Sequence, residues 1–543
     1  MKIGIDLDNT LICYDEVFFL AAKKRSLLAH GVGANKKAIR GHIRNLPDGE
    51  KIWRDLQGEV YGKLIDQATL FAGAKRVLAR CNLRGINVEV VSHKTEFANF
   101  RGACVPLRDV AIDFLENRGL CGDLNYSLIN KVSFFDTREE KIEHIRREEF
   151  DWFIDDLREI LNHPSFPDET KKIEFCPGGG RERRGQEQVN SWSEIEDLIL
   201  GAWQQTELFK VFQRLDLESP TGIEWIGGRA NSGVAKVVFG QKAQLALKIY
   251  SRDEKHDRYK SEQKAFQSLR QCGETQTPSA LGGDKNLGIG LISWVDGDAV
   301  LTPDAGDLDQ ALNFLRRLHN LRSDDRFRNV SRASAAMFSG MELQDQVEER
   351  FRLLCTHAIE SEMLSDFLKN EVNPAIVDAK KWARANWPCG NFEKSLDRRL
   401  LTLSPSDFGF HNCLKQQNGK LMFIDFEYFG WDDPSKLCVD FLLHPAMELA
   451  PNLKREWLVG VREIYGQEVL ARATAAFGLL AISWCLIMLN GFRKDFHAKK
   501  RLVNPQANLP NNKDIKETLT RVRYRIAKVN SHPNFADTTL DPS

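Results

Sequence analysis

The pattern of apolar and polar positions changes character partway along the chain. Over about the first 200 residues, short apolar runs alternate with charged stretches. KIGIDL near the start, GINVEVV over 85–91 and the run 150–154 each read as a buried strand of a parallel sheet, and residues 171–176 read as a further one. The charged stretch 138–147 has helical character, and Ser191 with Glu194 offers a cap for a closing helix to about residue 203. Residues 15–66 (FFLAAKKRSLL, KKAIRGHIRNL, EKIWRDLQGEVYGKLI) are mostly helical with little strand character. From Gly222 the texture turns to strands, GIEWIGG and SGVAKVVFG, then QLALKIY, with a Gly-rich bend between the first two. Residues 340–400 are helical and mixed in charge, and Asn418-Gly419 predicts a hairpin between 413–415 and 421–424.

One segment, 473–489, carries no charge but is interrupted by Thr474, Gly478 and Ser483. It reads as the buried helix of a large helical domain, so no membrane span is expected. From Asn504 the chain is polar and rich in Asn and Pro, then ends DTTLDPS, which predicts a polar tail with a frayed end.

Length and composition narrow the class. At 543 residues the chain exceeds one core. Lys plus Arg (76) balances Asp plus Glu (76), so no bulk field favours nucleic acid or an anionic membrane. The eleven cysteines include no C-x-x-C pair, which argues against a zinc site or a disulfide framework and for reduced thiols in the cytoplasm. Asp6 and Asp8 stand where a secretion signal needs an apolar run.

The first strand runs into a loop holding Asp6 and Asp8, in the order D-L-D-N-T. Strand ends of parallel sheets are where ligands bind, and two acids so close can divide labour as nucleophile and proton donor. The second strand ends in Ser92-His93-Lys94, the third in Asp155-Asp156, and Lys141 lies on the charged helix before it. This order resembles the haloacid dehalogenase superfamily, most of whose members are phosphatases. The resemblance implies Asp6 as nucleophile and Asp8 as general acid, then base. Ser92 and Lys141 would bind the phosphoryl group, with Lys131 and Lys94 as alternatives to Lys141. Asp6, the main-chain carbonyl of Asp8, and Asp155, with Asp156 beside it, would hold Mg²⁺. The helical insert, about 15–68, would be the cap that the superfamily places over its active site.

Farther on, Asp407, Asn412 and Asp425 form D-x-x-x-x-N followed by an apolar run ending in Asp-Phe. A phosphoryl-transfer centre needs one carboxylate to take the proton of an attacking hydroxyl, and an amide and a second carboxylate to hold Mg²⁺. A short hairpin would bring Asp425 back beside Asn412. This stretch resembles the aminoglycoside phosphotransferase and choline kinase family, small-molecule relatives of protein kinases. The resemblance implies Asp407 as catalytic base, and Asn412 and Asp425 as Mg²⁺ ligands. The family often has His two residues before the base, where this chain has Pro405. Upstream, the Gly-rich bend with Gly228 and Ser232 would approach ATP phosphates. Lys248 would neutralise them, paired with Glu262 or Glu254, of which spacing favours Glu262. Trp294 lies in the segment that resembles the link between lobes, where adenine binds.

The expected architecture is multi-domain, α/β plus α+β. A Rossmann-like parallel sheet with a helical cap would occupy 1–203 and a linker 204–216. A protein-kinase-like two-lobed fold would occupy 217–503, and a polar tail 504–543. The expected activity is bifunctional: an Mg²⁺-dependent phosphatase fused to an ATP-dependent kinase acting on a small hydroxylated or phosphorylated metabolite. A kinase with a non-catalytic N-terminal binding module and a wholly non-catalytic scaffold are the alternatives. A nucleic-acid end-processing enzyme lacks support, since the chain has no P-loop and no basic surface pattern.

Overall fold

The structure is a computed structural model that describes all residues except 30, 101–102, 123–126, 178–186, 227–231, 241–242, 252–255, 360, 448, 494–510 and 532–543. Contacts divide the chain into two units, Met1–Ser219 and Pro220–Ser543.

In the first unit six strands form a parallel sheet: β1 (Lys2–Ile5), β2 (Asn87–His93), β3 (Lys131–Phe135), β4 (Trp152–Asp155), β5 (Lys171–Phe175) and β6 (Glu187–Val189). The order is β6-β5-β4-β1-β2-β3, so the chain steps outward from β1 in both directions. Ile3 and Ile5 of β1 and Val88, Val90 and Val91 of β2 are buried, as near-continuous apolar strands covered on both faces must be. After β1 come three helices, α1 (Asp15–Lys24), α2 (Lys36–Arg44) and α3 (Gly49–Tyr61), which pack on one another around Phe18 and Trp53, their rings stacked 5.0 Å apart. Helix α4 (Ala74–Arg84) precedes β2, and α5 (Arg138–Glu148) lies between β3 and β4.

The expected linker at 204–216 is a docked helix, α6 (Gln205–Arg214). Leu208, Val211 and Phe212 form its buried face, and Glu207 pairs with Arg80 and Arg84 of α4. A segment with its own apolar face and a buried ion pair is part of a core, so the boundary moves to Ser219/Pro220.

The second unit opens with a five-stranded antiparallel sheet: β7 (Gly222–Trp225), β8 (Ser232–Phe239), β9 (Ala243–Tyr250), β10 (Ala280–Asp284) and β11 (Ile289–Ser293), in the order β7-β8-β9-β11-β10. Helix α7 (Arg258–Gln271) follows β9. The rest is mainly helical: α8 (Ala305–Asn320), α9 (Gly340–His357), α10 (Asn373–Asn386), α11 (Pro434–Leu443), α12 (Pro451–Tyr465) and α13 (Gln467–Leu489). The predicted hairpin forms as β12 (Cys413–Lys415) and β13 (Leu421–Phe423), with Gly419 at φ +80° in its turn, a left-handed conformation that suits glycine.

Helix α13 packs against α9, α10, α11 and a last helix, α14 (Asn512–Ser531). Neighbours on all sides explain why it has almost no polar face. It is the one described helix long and apolar enough to cross a membrane, and 67% of its most apolar window is buried inside the protein. Helix α14 corrects the expected polar tail over its described part, because Ile515, Leu519, Val522 and Ile526 recur at helical spacing and are buried.

Candidate active sites

In the first unit every predicted site residue lies at or just beyond the carboxyl ends of β1, β2 and β4, or on α5 facing them. Asp6 follows β1, and its amide donates to the Ile154 carbonyl at 2.8 Å, which fixes it beside β4. The next turn closes on itself, with Asn9 N–H donating to Ile12 O at 2.9 Å and Ile12 N–H to Leu7 O at 2.9 Å. Asn9 takes a left-handed φ of 68°, which asparagine tolerates better than most side chains. Asp8 is thereby held on the same loop.

Of the three candidate lysines, Lys141 is the one placed against Asp6 and Asp155. It is 1% exposed, and its ammonium donates at 2.7 Å to Asp6 Oδ1 and at 2.7 Å to Asp155 Oδ2. Lys131 instead pairs with Glu89 and Glu148, and Lys94 with Asp8 Oδ2 at 2.8 Å. Asp6, Asp155 and Asp156 offer carboxylate oxygens that all lie within 4.8 Å of one another. Burial pushes Asp6 up to about 7, with Lys141 opposing, and burial together with Asp6 and Asp155 pushes Asp156 up to about 8. Such crowding needs a cation to keep the acids ionised, so the donor set, all hard oxygen, fits Mg²⁺. The Asp8 carboxylate is engaged elsewhere, accepting from Tyr14 OH at 2.7 Å as well as from Lys94, so only its main-chain carbonyl is left for a metal. Ser92 is buried at the end of β2.

Sequence reasoning missed the surroundings of Asp8. Lys94, two residues after Ser92, reads from sequence only as a phosphate ligand. Tyr14 and Lys36 carry no local signal. Lys36 opens α2, donates to Tyr61 OH at 2.6 Å, and is close enough to Asp156 and Asp8 to be raised by both.

In the second unit, β9 carries Lys248 into the protein, where it is 4% exposed. Its ammonium donates to Glu262 Oε1 at 3.0 Å and to Asp425 Oδ1 at 2.6 Å, with Glu427 at 3.4 Å. Glu262 is therefore the partner, as spacing predicts; Glu254 lies outside the described residues. Glu262 is held in turn by Tyr250 OH and by the Phe426 amide at 2.7 Å. Gly228 also lies outside the described residues. Ser232 opens β8, and its hydroxyl donates to Glu427 Oε2 at 2.6 Å, while Arg258 donates to the other oxygen at 2.9 Å. Trp294 directly follows β11, packs partly buried on the core, and donates to Asp296 at 2.7 Å.

Asp407 accepts at Oδ1 from His411 Nε2 at 3.0 Å, with His444 Nε2 at 3.7 Å. The two imidazoles stack face to face, 3.5 Å apart. Burial would raise the Asp407 carboxyl, but the hydrogen bond and charge of His411 and the nearby His444 outweigh it and hold it below the usual range. These two histidines flank Asp407 in a chain that has Pro405 two residues before it. His411 could have been suspected from its spacing of four from Asp407; His444 could not.

Asn412 donates its amide to the Asp407 carbonyl at 3.0 Å, leaving its own oxygen as a ligand. The Ile424 amide donates to Asn412 O at 3.0 Å, so the hairpin does return Asp425 to Asn412. Asp425 adopts a left-handed φ of 66° and is pushed up to about 7 by burial, against Lys248 and with Glu427 and Glu262 adding repulsion. A partly buried carboxylate among acids again fits a hard divalent cation. Asp440 is structural: it binds Lys436 at 2.5 Å and Trp484 at 2.8 Å.

Residues 226–472 match the model of the phosphotransferase enzyme family (APH). Among solved structures, the chain is similar to an ADP-bound aminoglycoside phosphotransferase, APH(2'')-Ib, at 14% identity, covering 58% of this chain and 96% of that one, with a TM-score of 0.38. It is likewise similar to a Plasmodium vivax ethanolamine kinase, at 15% identity over 55% and 88% of the two chains, TM-score 0.38. A choline kinase from Cryptosporidium parvum follows at 14%, over 58% and 94%, TM-score 0.36. No curated protein matches the chain. The matched stretch lies wholly within the second unit.

Proposed function

We propose that the second unit transfers the γ-phosphoryl group of ATP to the hydroxyl of a small molecule, and that the first unit is an Mg²⁺-dependent phosphatase. The observation that carries the kinase reading is the assembly of Lys248 from β9, Glu262 from α7, and Asp407, Asn412 and Asp425 from the stretch 407–425 around one site. The family match over residues 226–472 supports it. Mg²⁺, when bound by Asn412 and Asp425, neutralises phosphate charge. Lys248 orients the phosphates, and Asp407 takes the acceptor's hydroxyl proton as the acceptor oxygen bonds to phosphorus and the bond to the ADP oxygen breaks. Its low pKa keeps Asp407 ionised and ready to accept.

In the first unit, Asp6 would attack the phosphorus of a phosphate monoester while Asp8 gives its proton to the leaving alcohol. Asp8 would then take a proton from the water that cleaves the aspartyl-phosphate. Lys141 and Ser92 would hold the phosphoryl oxygens, and Mg²⁺ on Asp6, Asp155 and the Asp8 carbonyl, with Asp156 beside them, would screen charge between the anionic nucleophile and its target. The helices α1–α3 would serve as the cap. A second reading keeps only the kinase active, with the first unit a binding module. The ion pair between Lys94 and Asp8 favours it, because a paired carboxylate is a poor proton donor.

Phosphate release from p-nitrophenyl phosphate, and transfer from labelled ATP to a panel of small alcohols, test both halves. Asp6→Asn is expected to abolish release and spare transfer. Asp407→Asn should lower transfer by roughly 10²- to 10⁴-fold, the usual worth of a general base, and spare release. Release that persists in Asp6→Asn would end the phosphatase reading.

A further inference from the structure

A cavity of about 1100 Å³ lies in the second unit between α7, the segment 329–336 and α9. It adjoins the catalytic loop. Ser334 lines it, accepts from the Ser406 hydroxyl at 3.2 Å one residue before Asp407, and donates its own amide to Tyr428 O at 3.1 Å. The other charges on its wall are accounted for or solvated. Arg332 pairs with Glu342, Glu349 with Arg352, Asp257 caps α7, Lys264 donates to the Asn329 carbonyl at 3.4 Å, His256 bonds the Glu427 carbonyl at 2.8 Å, and Lys260 and Asp345 are exposed.

Arg350, on α9, is different. It is partly buried and has no hydrogen-bond or ion-pair partner among the described residues. The charges it feels are Asp440, Arg493 and Tyr428, and burial holds its guanidinium below the usual range. Asp440 is already engaged by Lys436, which also reaches toward Asp432 at 3.8 Å. The one carboxylate whose charge Arg350 feels is therefore already taken. A partly buried cation with no partner among the described residues is costly, and folded proteins keep one where something else neutralises it. The geometric link to Asp407 is Ser334, which lines the cavity and holds the Ser406 hydroxyl one residue before it.

Resting on the kinase reading above, we infer that the acceptor carries an anionic group, a carboxylate or a phosphate ester, which enters this cavity and pairs with Arg350 while its hydroxyl reaches Asp407. Arginine suits that role, since its planar fork matches both groups with two parallel hydrogen bonds.

The test uses the full chain and its Arg350→Met and Arg350→Lys variants. Without added anion, Arg350→Met is expected to melt at or above the native temperature, because an uncompensated charge is gone. A markedly lower melting temperature would mean that Arg350 has a partner in the protein, and would overturn the inference. Replacing chloride by inorganic phosphate at constant ionic strength should stabilise the native chain more than Arg350→Met; equal shifts would also overturn it. Transfer from ATP is then compared for glycerate and gluconate, for glycerol phosphate and glucose 6-phosphate, and for glycerol, glucose and ethanolamine. One of the first two classes is expected to serve, which identifies the anion. Arg350→Met should raise that acceptor's KM by roughly tenfold to a hundredfold, the worth of one charge-assisted contact, with the KM for ATP unchanged and partial recovery in Arg350→Lys. Equal use of the neutral acceptors, or a change confined to ATP, would sink the idea. No transfer to any acceptor, with the melting difference intact, would reject the kinase reading and leave the anion site standing.

Discussion

A lysine on a charged helix is solvated by default, yet Lys141 is 1% exposed and bridges two acids from different strands. Its neighbours in sequence, Lys131 and Lys94, look the same on paper and go elsewhere. Residue identity supplied the candidates, and contacts chose among them. Glu207 shows how such a choice becomes a measurable energy. Burial alone would raise its carboxyl, but hydrogen bonds from Arg84 and Arg80 outweigh that and hold it below its ordinary 4.5. A carboxylate whose folded pKa is depressed contributes stability that is fully present above the unfolded value and is lost as the pH falls through the folded one. Glu207→Gln is therefore expected to cost about 3 kcal/mol near neutrality, because it strips a buried pair of one partner. The gap between variant and native chain should close below about pH 4.5 as Glu207 itself protonates. Urea unfolding at a series of pH values reads this directly; a gap independent of pH would mean that the ion pair contributes nothing.

At the scale of elements, local pattern succeeded where a segment's neighbours did not matter. The hairpin at Asn418-Gly419, the strands β1, β2, β4 and β5, and the buried character of α13 follow from turn chemistry and apolar runs alone. The two errors, α6 and α14, are amphipathic helices embedded in polar sequence. Their apolar positions are few, and their value depends on a surface supplied by distant chain. Helix α14 makes the stronger test. Leu519 is 2% exposed, and Arg525 donates to the Leu443 carbonyl at 3.0 Å. Leu519→Ala is expected to destabilise the second unit by about 3 kcal/mol, as for other buried leucines. Denaturant midpoints compared with those of Lys516→Ala, on an exposed position of the same helix, check it. A polar, frayed tail would be indifferent to either change.

At the scale of the whole molecule, each proposed site is complete within its own unit. Asp6, Asp8, Ser92, Lys141 and Asp155 precede Ser219, and Lys248, Glu262, Asp407, Asn412 and Asp425 follow Pro220. Each unit also has its own buried core, so separate expression of residues 1–219 and 220–543 should give two cooperative melting transitions. Phosphate release is expected in the first fragment alone and ATP-dependent transfer in the second alone. A fragment that fails to melt cooperatively, or an activity that needs both, would show that the division is not functional.

The sequence by itself supplied the candidate chemical groups and showed roughly where the strands that present them lie. Catalytic acids must be acids, and apolar runs must be buried wherever they occur. Tertiary structure alone decided what each of those groups faces. His444 beside Asp407, Lys94 on Asp8, and Arg350 in its cavity come from elements far apart in the chain. Their roles are set by burial and by distance to other charges, and neither quantity has a local signal in sequence.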